Sequence, residues 1–225
     1  MIAMQKLEAV IFDMDGVLVD SEFVYRQGHA AYFASVGVAV SPEELNQLAG
    51  SSRKVERVLY EQWWERSLGE RISGEEIERR EDEYWDEHPI SYHEIMNPGV
   101  PETLEELRSL GLRLAVASSS PLSHIEKVLA ECGIDGYFEV VESGDELHQS
   151  KPNPEIYLLT LDKLGLSADV CCAVEDSDPG IQAARSAGLY TIAKREERFG
   201  FTQHGADAMV DEIPGVIGAV LGYGQ

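Results

Sequence analysis

Hydrophobic spacing divides the chain into a strand, a helical block and an alternating remainder. Ala9-Val10-Ile11-Phe12 is a short unbroken apolar run that stops abruptly at Asp13-Met14-Asp15-Gly16. A run of this length with β-branched members predicts a strand buried on both faces. From Ser21 the spacing turns helical and stays so to Met96. Phe23, Ala30, Ala31, Phe33 and Ala34 mark a first amphipathic helix that ends near Gly37. Ser41-Pro42-Glu43-Glu44 combines a cap serine, a proline in the first helical position and a glutamate three residues after the cap, which is a capping-box start. A third helix is expected from Arg53 to Leu68. Ser73-Gly74-Glu75-Glu76 repeats the box and opens a very acidic fourth helix, whose charges from Glu75 to Glu87 read as a solvated face. Asn97-Pro98-Gly99 closes the block.

After Val100 helices and strands alternate. A helix from Pro101 to Leu110 stops at Gly111, and the apolar run Leu112 to Ala117 enters Ser118-Ser119-Ser120-Pro121. Next come a helix to Cys132, a short strand from Glu139 to Val141, and Lys151-Pro152-Asn153-Pro154 before a helix ending near Gly165. Val170 to Val174 is a strand that halts at Glu175-Asp176-Ser177, with Pro179-Gly180 opening another helix. Tyr190 to Ala193 and Ala208 to Val210 complete the strands. This pattern predicts an α/β fold, a doubly wound parallel sheet with right-handed crossovers. The helical block is then an insertion. Residues 1–20 and 97–225 form the expected core domain, and residues 21–96 an all-helical cap on the loop beyond the first acidic pair, where it can serve as a lid.

Composition narrows the function. The chain has 225 residues, 44% of them hydrophobic and 26% charged, ordinary values for a globular protein. No apolar run approaches the ~20 residues that span a bilayer, and no basic-then-apolar leader opens the sequence. Cys132, Cys171 and Cys172 cannot all pair, and the adjacent two should point to opposite faces of a strand, which fits a reduced cytoplasmic protein. A net charge of −23 argues against nucleic acid or an anionic membrane as partner. It also repels any anionic substrate. Because salt screens such fields over ~8 Å, a local group of cations can overcome it. A cytoplasmic monomer acting on a small molecule is expected.

Polar groups recur just beyond predicted strand ends, or in loops that can reach them: Asp13 and Asp15, Ser118, Lys151, and Glu175 with Asp176. Each alone has an ordinary explanation. The aspartates can form a turn, Ser118 and the later acids can cap helices, and Lys151 can be an exposed loop lysine. Taken together they supply a carboxylate nucleophile, a proton donor, oxygen ligands for a hard divalent cation, and donors for phosphoryl oxygens. Phosphoryl transfer needs each of these parts.

Asp13-Met14-Asp15-Gly16-Val17-Leu18-Val19-Asp20-Ser21-Glu22, Ser118 after its strand, Lys151-Pro152-Asn153-Pro154 and Glu175-Asp176-Ser177-Asp178-Pro179-Gly180 resemble, in order and spacing, the four motifs of the haloacid dehalogenase-like (HAD) superfamily. The helical insertion resembles the cap of the subfamily that includes β-phosphoglucomutase and many sugar-phosphate phosphatases. The resemblance implies a Rossmann-like core and assigns roles. Asp13 attacks phosphorus and becomes an aspartyl phosphate. Asp15 protonates the leaving oxygen. Mg²⁺ is held by the Asp13 carboxylate, the Asp15 carbonyl, Asp176 and Glu175, the last directly or through water. Ser118 and Lys151 bind phosphoryl oxygens. Gly50-Ser51-Ser52-Arg53 resembles the stretch whose arginine holds a distal phosphate in β-phosphoglucomutase, although Arg53 reads equally as a solvent-facing residue at a helix start. Tyr25 and Pro121 depart from the mutase pattern. The expected activity is therefore hydrolysis of a small phosphorylated metabolite, a sugar phosphate, with a phosphosugar mutase as the alternative. A receiver-like phospho-acceptor domain is the alternative of a different class.

Overall fold

The structure, a computed structural model, describes residues 6–145 and 147–224; Met1 and Gln225, the outer ends of the expected core segments, lie outside the described residues. Its elements in chain order are β1 (Ala9–Phe12), α1 (Ser21–Ser35), α2 (Pro42–Leu45), α3 (Arg53–Leu68), α4 (Gly74–Glu87), α5 (Val100–Ser109), β2 (Arg113–Ser118), α6 (Leu122–Glu131), β3 (Val140–Ser143), α7 (Glu155–Leu164), β4 (Cys171–Glu175), α8 (Asp178–Ser186), β5 (Tyr190–Lys194), β6 (Ala208–Val210) and α9 (Gly215–Leu221). The fold is α/β, with six parallel strands in the order β3-β2-β1-β4-β5-β6.

That order positions the chemistry. The chain runs outward from β1 through β2 to β3, then returns to the other side of β1 as β4. Strand order reverses at β1, and a crevice opens there beyond the carboxyl ends. Phe12 is in register with Val116 of β2 and Val174 of β4. The residues that follow each of these three strand positions therefore emerge side by side. All four residues of β1 are wholly buried, as the unbroken apolar run requires. Cys171 and Cys172 join the apolar clusters on opposite faces of the sheet, and all the cysteines are free and buried.

Helices α1, α3 and α4 close over an apolar cluster of their own, which includes Phe33, Tyr60, Trp63, Trp64 and Ile77. The chain enters and leaves this block through adjacent segments. Asp20 N–H donates to Ile95 O at 2.8 Å, Asn97 N–H to Leu18 O at 2.9 Å, and the Asn97 side chain to Val17 O at 2.7 Å. No helix among the described residues is long and apolar enough to cross a membrane.

Two local expectations fail. The capping box at Ser41 is complete, with both reciprocal bonds made, but the one at Ser73 is half formed. Ser73 Oγ accepts from Glu76 N–H, while the Glu76 carboxylate is taken by Arg79 and Arg80. The acidic run of α4 is also not a uniformly solvated face. Glu81 is buried against His29, and half-buried Glu78 lines a cavity between the helices and the sheet. A helix packed against two neighbours turns part of any charge run inward, and the pairing partners lie far away in sequence. Helix α9 has no counterpart among the expected elements, because its glycine-interrupted apolar run carries no polar period to mark it.

Candidate active site

Asp13 leaves β1 still in the ladder, its N–H donating to Val174 O at 3.0 Å. Lys151, from the loop before α7, reaches across to it. Its ammonium donates to Asp13 Oδ1 at 2.8 Å, Glu175 Oε1 at 2.6 Å and Ala117 O at 3.1 Å. The lysine side chain is buried, so it is not an exposed loop residue. Burial works against its charge, yet Asp13 and Glu175 outweigh that and hold the ammonium above its ordinary pKa. Tyr157 of α7 donates its hydroxyl to the same Glu175 oxygen.

Asp13, Glu175 and Asp176 offer oxygens that all lie within 4.8 Å of one another. Burial raises Asp13 to about 7, with Glu175 and Asp15 adding to the rise and Lys151 opposing it. Asp176 is raised well above the carboxylate range, by burial first and then by Asp13, Glu22 and Glu175. Glu175 Oε2 and Asp176 Oδ2 are buried without a hydrogen-bond partner. An unmet buried acceptor costs about 1–3 kcal/mol, and crowded carboxylates add repulsion. A hard divalent cation, which takes oxygen ligands, relieves both. The donor set therefore fits Mg²⁺. The backbone keeps this space clear. A Cβ on Gly16, whose φ is +78°, would lie 2.0 Å from Asp176 Oδ2, and one on Gly180 would lie 2.0 Å from Glu175 Oε2.

Asp15 turns the other way. Its Oδ1 accepts from Ser21 Oγ at 2.6 Å, and its Oδ2 from Ser120 Oγ at 3.0 Å. Ser118 Oγ is 3.5 Å from that same Oδ2 and accepts from Ser120 N–H at 3.2 Å. Ser118 is not a helix cap, since Pro121 occupies that position for α6. Nor do Glu175 and Asp176 cap α8, because Ser177 does so through Gly180 N–H. The two aspartates of the first motif are thus held by different partners on different sides of the strand end.

Asp13, Asp15, Ser118 and Lys151 line a cavity of about 410 Å³ whose other wall is made by α1, α3 and α4. Tyr25 of α1 ties the two walls together, with its hydroxyl 3.0 Å from His124 Nε2 and 3.3 Å from Tyr92 OH. Arg53 lines the same cavity on the cap side, paired with Glu78 Oε1 at 2.7 Å. The fold therefore brings Asp13, Lys151, Glu175 and Asp176 together, sets Asp15 and Ser118 beside them, and leaves Arg53 across the cavity.

Several supporting residues are given no role by the sequence alone. Ser21 and Ser120 hold Asp15. Buried Gln203, in the left-handed region at φ 52°, donates to Asp176 O and Lys194 O, both at 2.6 Å, and accepts from Glu196 N–H at 3.1 Å. Ser21 follows the first motif directly and Ser120 lies in the serine run, so proximity in the chain could have flagged them. No local pattern marks Gln203.

Comparison with known proteins identifies the family. Residues 7–188 match the family model described as haloacid dehalogenase-like hydrolase. A phosphorylated carbohydrates phosphatase of Thermotoga maritima is 35% identical over 189 residues, covering 83% of this chain and 84% of its own. Hexitol phosphatase B of Escherichia coli is 32% identical over 191 residues, covering 84% and 83%. Among solved structures, a mutant of CbbY from Rhodobacter sphaeroides in complex with xylulose-(1,5)bisphosphate superimposes with a TM-score of 0.76 at 27% identity, covering 92% of this chain and 95% of that one. The family match runs from β1 through α8 and takes in every motif at the strand ends, and the chain belongs to the haloacid dehalogenase-like hydrolases.

Proposed function

We propose that this enzyme is a Mg²⁺-dependent phosphatase for a small sugar or polyol phosphate, working through an aspartyl phosphate on Asp13. The observation that carries the reading is the split orientation of the acidic pair. Asp13 is held by Lys151 among oxygens that call for a cation, and Asp15 is held apart by Ser21 and Ser120. One acid is suited to attack and the other to proton transfer. The relatives' phosphatase names support hydrolysis as the outcome.

In the first half-reaction an Asp13 oxygen bonds to phosphorus as the bond to the leaving oxygen breaks, and Asp15 gives that oxygen its proton. In the second, water attacks phosphorus, Asp15 takes the water's proton, and the Asp13–phosphorus linkage breaks. Lys151 lowers the repulsion between carboxylate and phosphate, and Ser118, at the end of β2, is a hydroxyl donor for a phosphoryl oxygen. Mg²⁺, when bound by Asp13, Glu175, Asp176 and the Asp15 carbonyl, supplies charge stabilisation for the phosphoryl group. We take residues 1–20 and 97–225 as the catalytic core and 21–96 as the cap, a division supported by the cap's separate apolar cluster. The free, buried cysteines support a cytoplasmic protein.

The test offers β-glucose 1-phosphate, Mg²⁺ and a trace of the glucose bisphosphate, following glucose 6-phosphate and free phosphate together. Steady phosphate release faster than isomerisation is expected. Faster formation of glucose 6-phosphate replaces this reading with a mutase.

A further inference from the structure

Away from the core carboxylates, the cavity runs between cap helices whose wall is acidic. Glu81 is buried with Oε1 2.6 Å from His29 Nδ1, and Tyr60 OH lies 3.3 Å from the same nitrogen. Glu56 accepts from Ser51 Oγ at 3.1 Å, and Glu22 accepts from Gly50 N–H at 2.8 Å. Among the described residues neither Glu22 nor Glu56 has an ion pair. All these side chains line the cavity. The cations on this wall are already engaged. Arg53 is paired with Glu78, and Arg26 donates to Asn46 Oδ1 at 2.7 Å. Lys127 lies exposed at the rim, its ammonium 6.0 Å from the centre of the Tyr92 ring.

Ionised carboxylates accept hydrogen bonds and repel anions. Where Glu56 carries its charge, a hydroxyl reaching it gains a charge-assisted hydrogen bond. A second phosphate reaching the same wall meets like charge, and it must also pull Arg53 from Glu78. We infer that the cap wall reads hydroxyl groups and rejects a second phosphate, so the substrates are polyhydroxylated monophosphates and sugar bisphosphates are excluded. This rests on the phosphatase reading and deepens it. It separates this enzyme from the CbbY structure, whose ligand is a bisphosphate. The repulsive wall is the discriminating element, as specificity often requires.

The experiment uses the full chain with Mg²⁺ at pH 8, where Glu56, held up to about 7 by burial, has lost its proton. Fructose 1-phosphate, fructose 6-phosphate and fructose 1,6-bisphosphate are compared as substrates and as competitive inhibitors of 4-nitrophenyl phosphate hydrolysis. A skeleton too slow to turn over then still yields an inhibition constant. The bisphosphate is expected to be at least about tenfold weaker than the better monophosphate, since like-charge juxtaposition is strongly unfavourable. Glu56→Gln should narrow that ratio at least about threefold. Loss of folded protein cancels in a ratio taken within one variant. If the aryl phosphate is hydrolysed but the bisphosphate binds as well as the monophosphates, or if Glu56→Gln leaves the ratio unchanged, the inference is overturned and the phosphatase reading stands. If the aryl phosphate is not hydrolysed, both fall.

Discussion

Asp13, Glu175 and Asp176 in the core, and Glu22, Glu56 and Glu81 in the cap, are two sets of sheltered carboxylates, the first reaching the cavity through Asp13 and the second lining it. In the core the carboxylates crowd one another around a single lysine, and two oxygens have no partner. In the cap each has a neutral or protonated companion: Gly50 N–H for Glu22, the Ser51 hydroxyl for Glu56, and His29 for Glu81. Burial works against charge on His29, but Glu81 outweighs it and keeps the imidazole above its ordinary pKa. Residue type is therefore a poor guide to role. The first set is left short of positive charge and suits a metal and an attacking oxygen. The second has hydrogen-bond donors beside each acid but an ion pair only at Glu81, and suits hydroxyl recognition.

The most severe way to break the core set is Asp13→Asn. The amide keeps the shape but is a poor nucleophile, so kcat should fall at least about a thousandfold, roughly 4 kcal/mol in the barrier. Folding should be retained, as thermal unfolding in Mg²⁺ will report. Gln203→Ala comes next. It removes hydrogen bonds to Asp176 O, Lys194 O and Glu196 N–H, and unfolding in urea should show a loss of about 2–4 kcal/mol. The Mg²⁺ concentration for half-maximal activity should rise as well.

Asp176→Asn sharpens the contrast through an effect of opposite sign in two conditions. Without metal, wild-type Asp176 must take up a proton on folding at neutral pH, a cost that the amide avoids, so the variant should be more stable by about 1–3 kcal/mol. With saturating Mg²⁺ the wild type regains the advantage, because binding to the native state stabilises it. Melting curves with chelator and with Mg²⁺ should therefore cross over between the two proteins.

The smallest effect belongs to the cap. Burial holds Glu56 up to about 7, above the ordinary carboxyl value of 4.5, while His29 and Ser51 pull it down. A raised acid keeps its proton in the folded state while the unfolded chain has lost it, so stability falls as pH rises from about 4.5 to 7. Glu56→Gln has no proton to lose. Between pH 5 and 8 the variant should gain about 1–2 kcal/mol relative to wild type, less than full linkage gives because cavity water also reaches the carboxyl. A constant difference across that range would remove the proton from Glu56.

Much of the core was readable in the sequence because its chemistry sits where a period changes. Asp13 ends an apolar run, Ser118 ends another, and Glu175-Asp176 ends a third; parallel strands in register then bring those ends together. The cap resisted. In α4 the acidic run conceals Glu81, whose partner His29 is on α1, and helical period alone does not say which face of a charged helix meets its neighbour. Gln203 is farther still from legibility, since its side chain and left-handed backbone acquire meaning only once β4 and β5 lie beside it. Arg53 was legible as a candidate anchor, but Glu78, which occupies it, belongs to another helix.

The central claim is that phosphate passes through Asp13. Its most direct measurement is to quench the enzyme in acid during turnover of a sugar phosphate with Mg²⁺, reduce the acyl phosphate with borohydride, and map the product by peptide mass spectrometry. Conversion of Asp13 to homoserine, absent in Asp13→Asn and in chelator, is the predicted result. Reduction at another carboxylate, or phosphate release from Asp13→Asn at more than about a tenth of the wild-type rate, a barrier change of only ~1.4 kcal/mol, would contradict it.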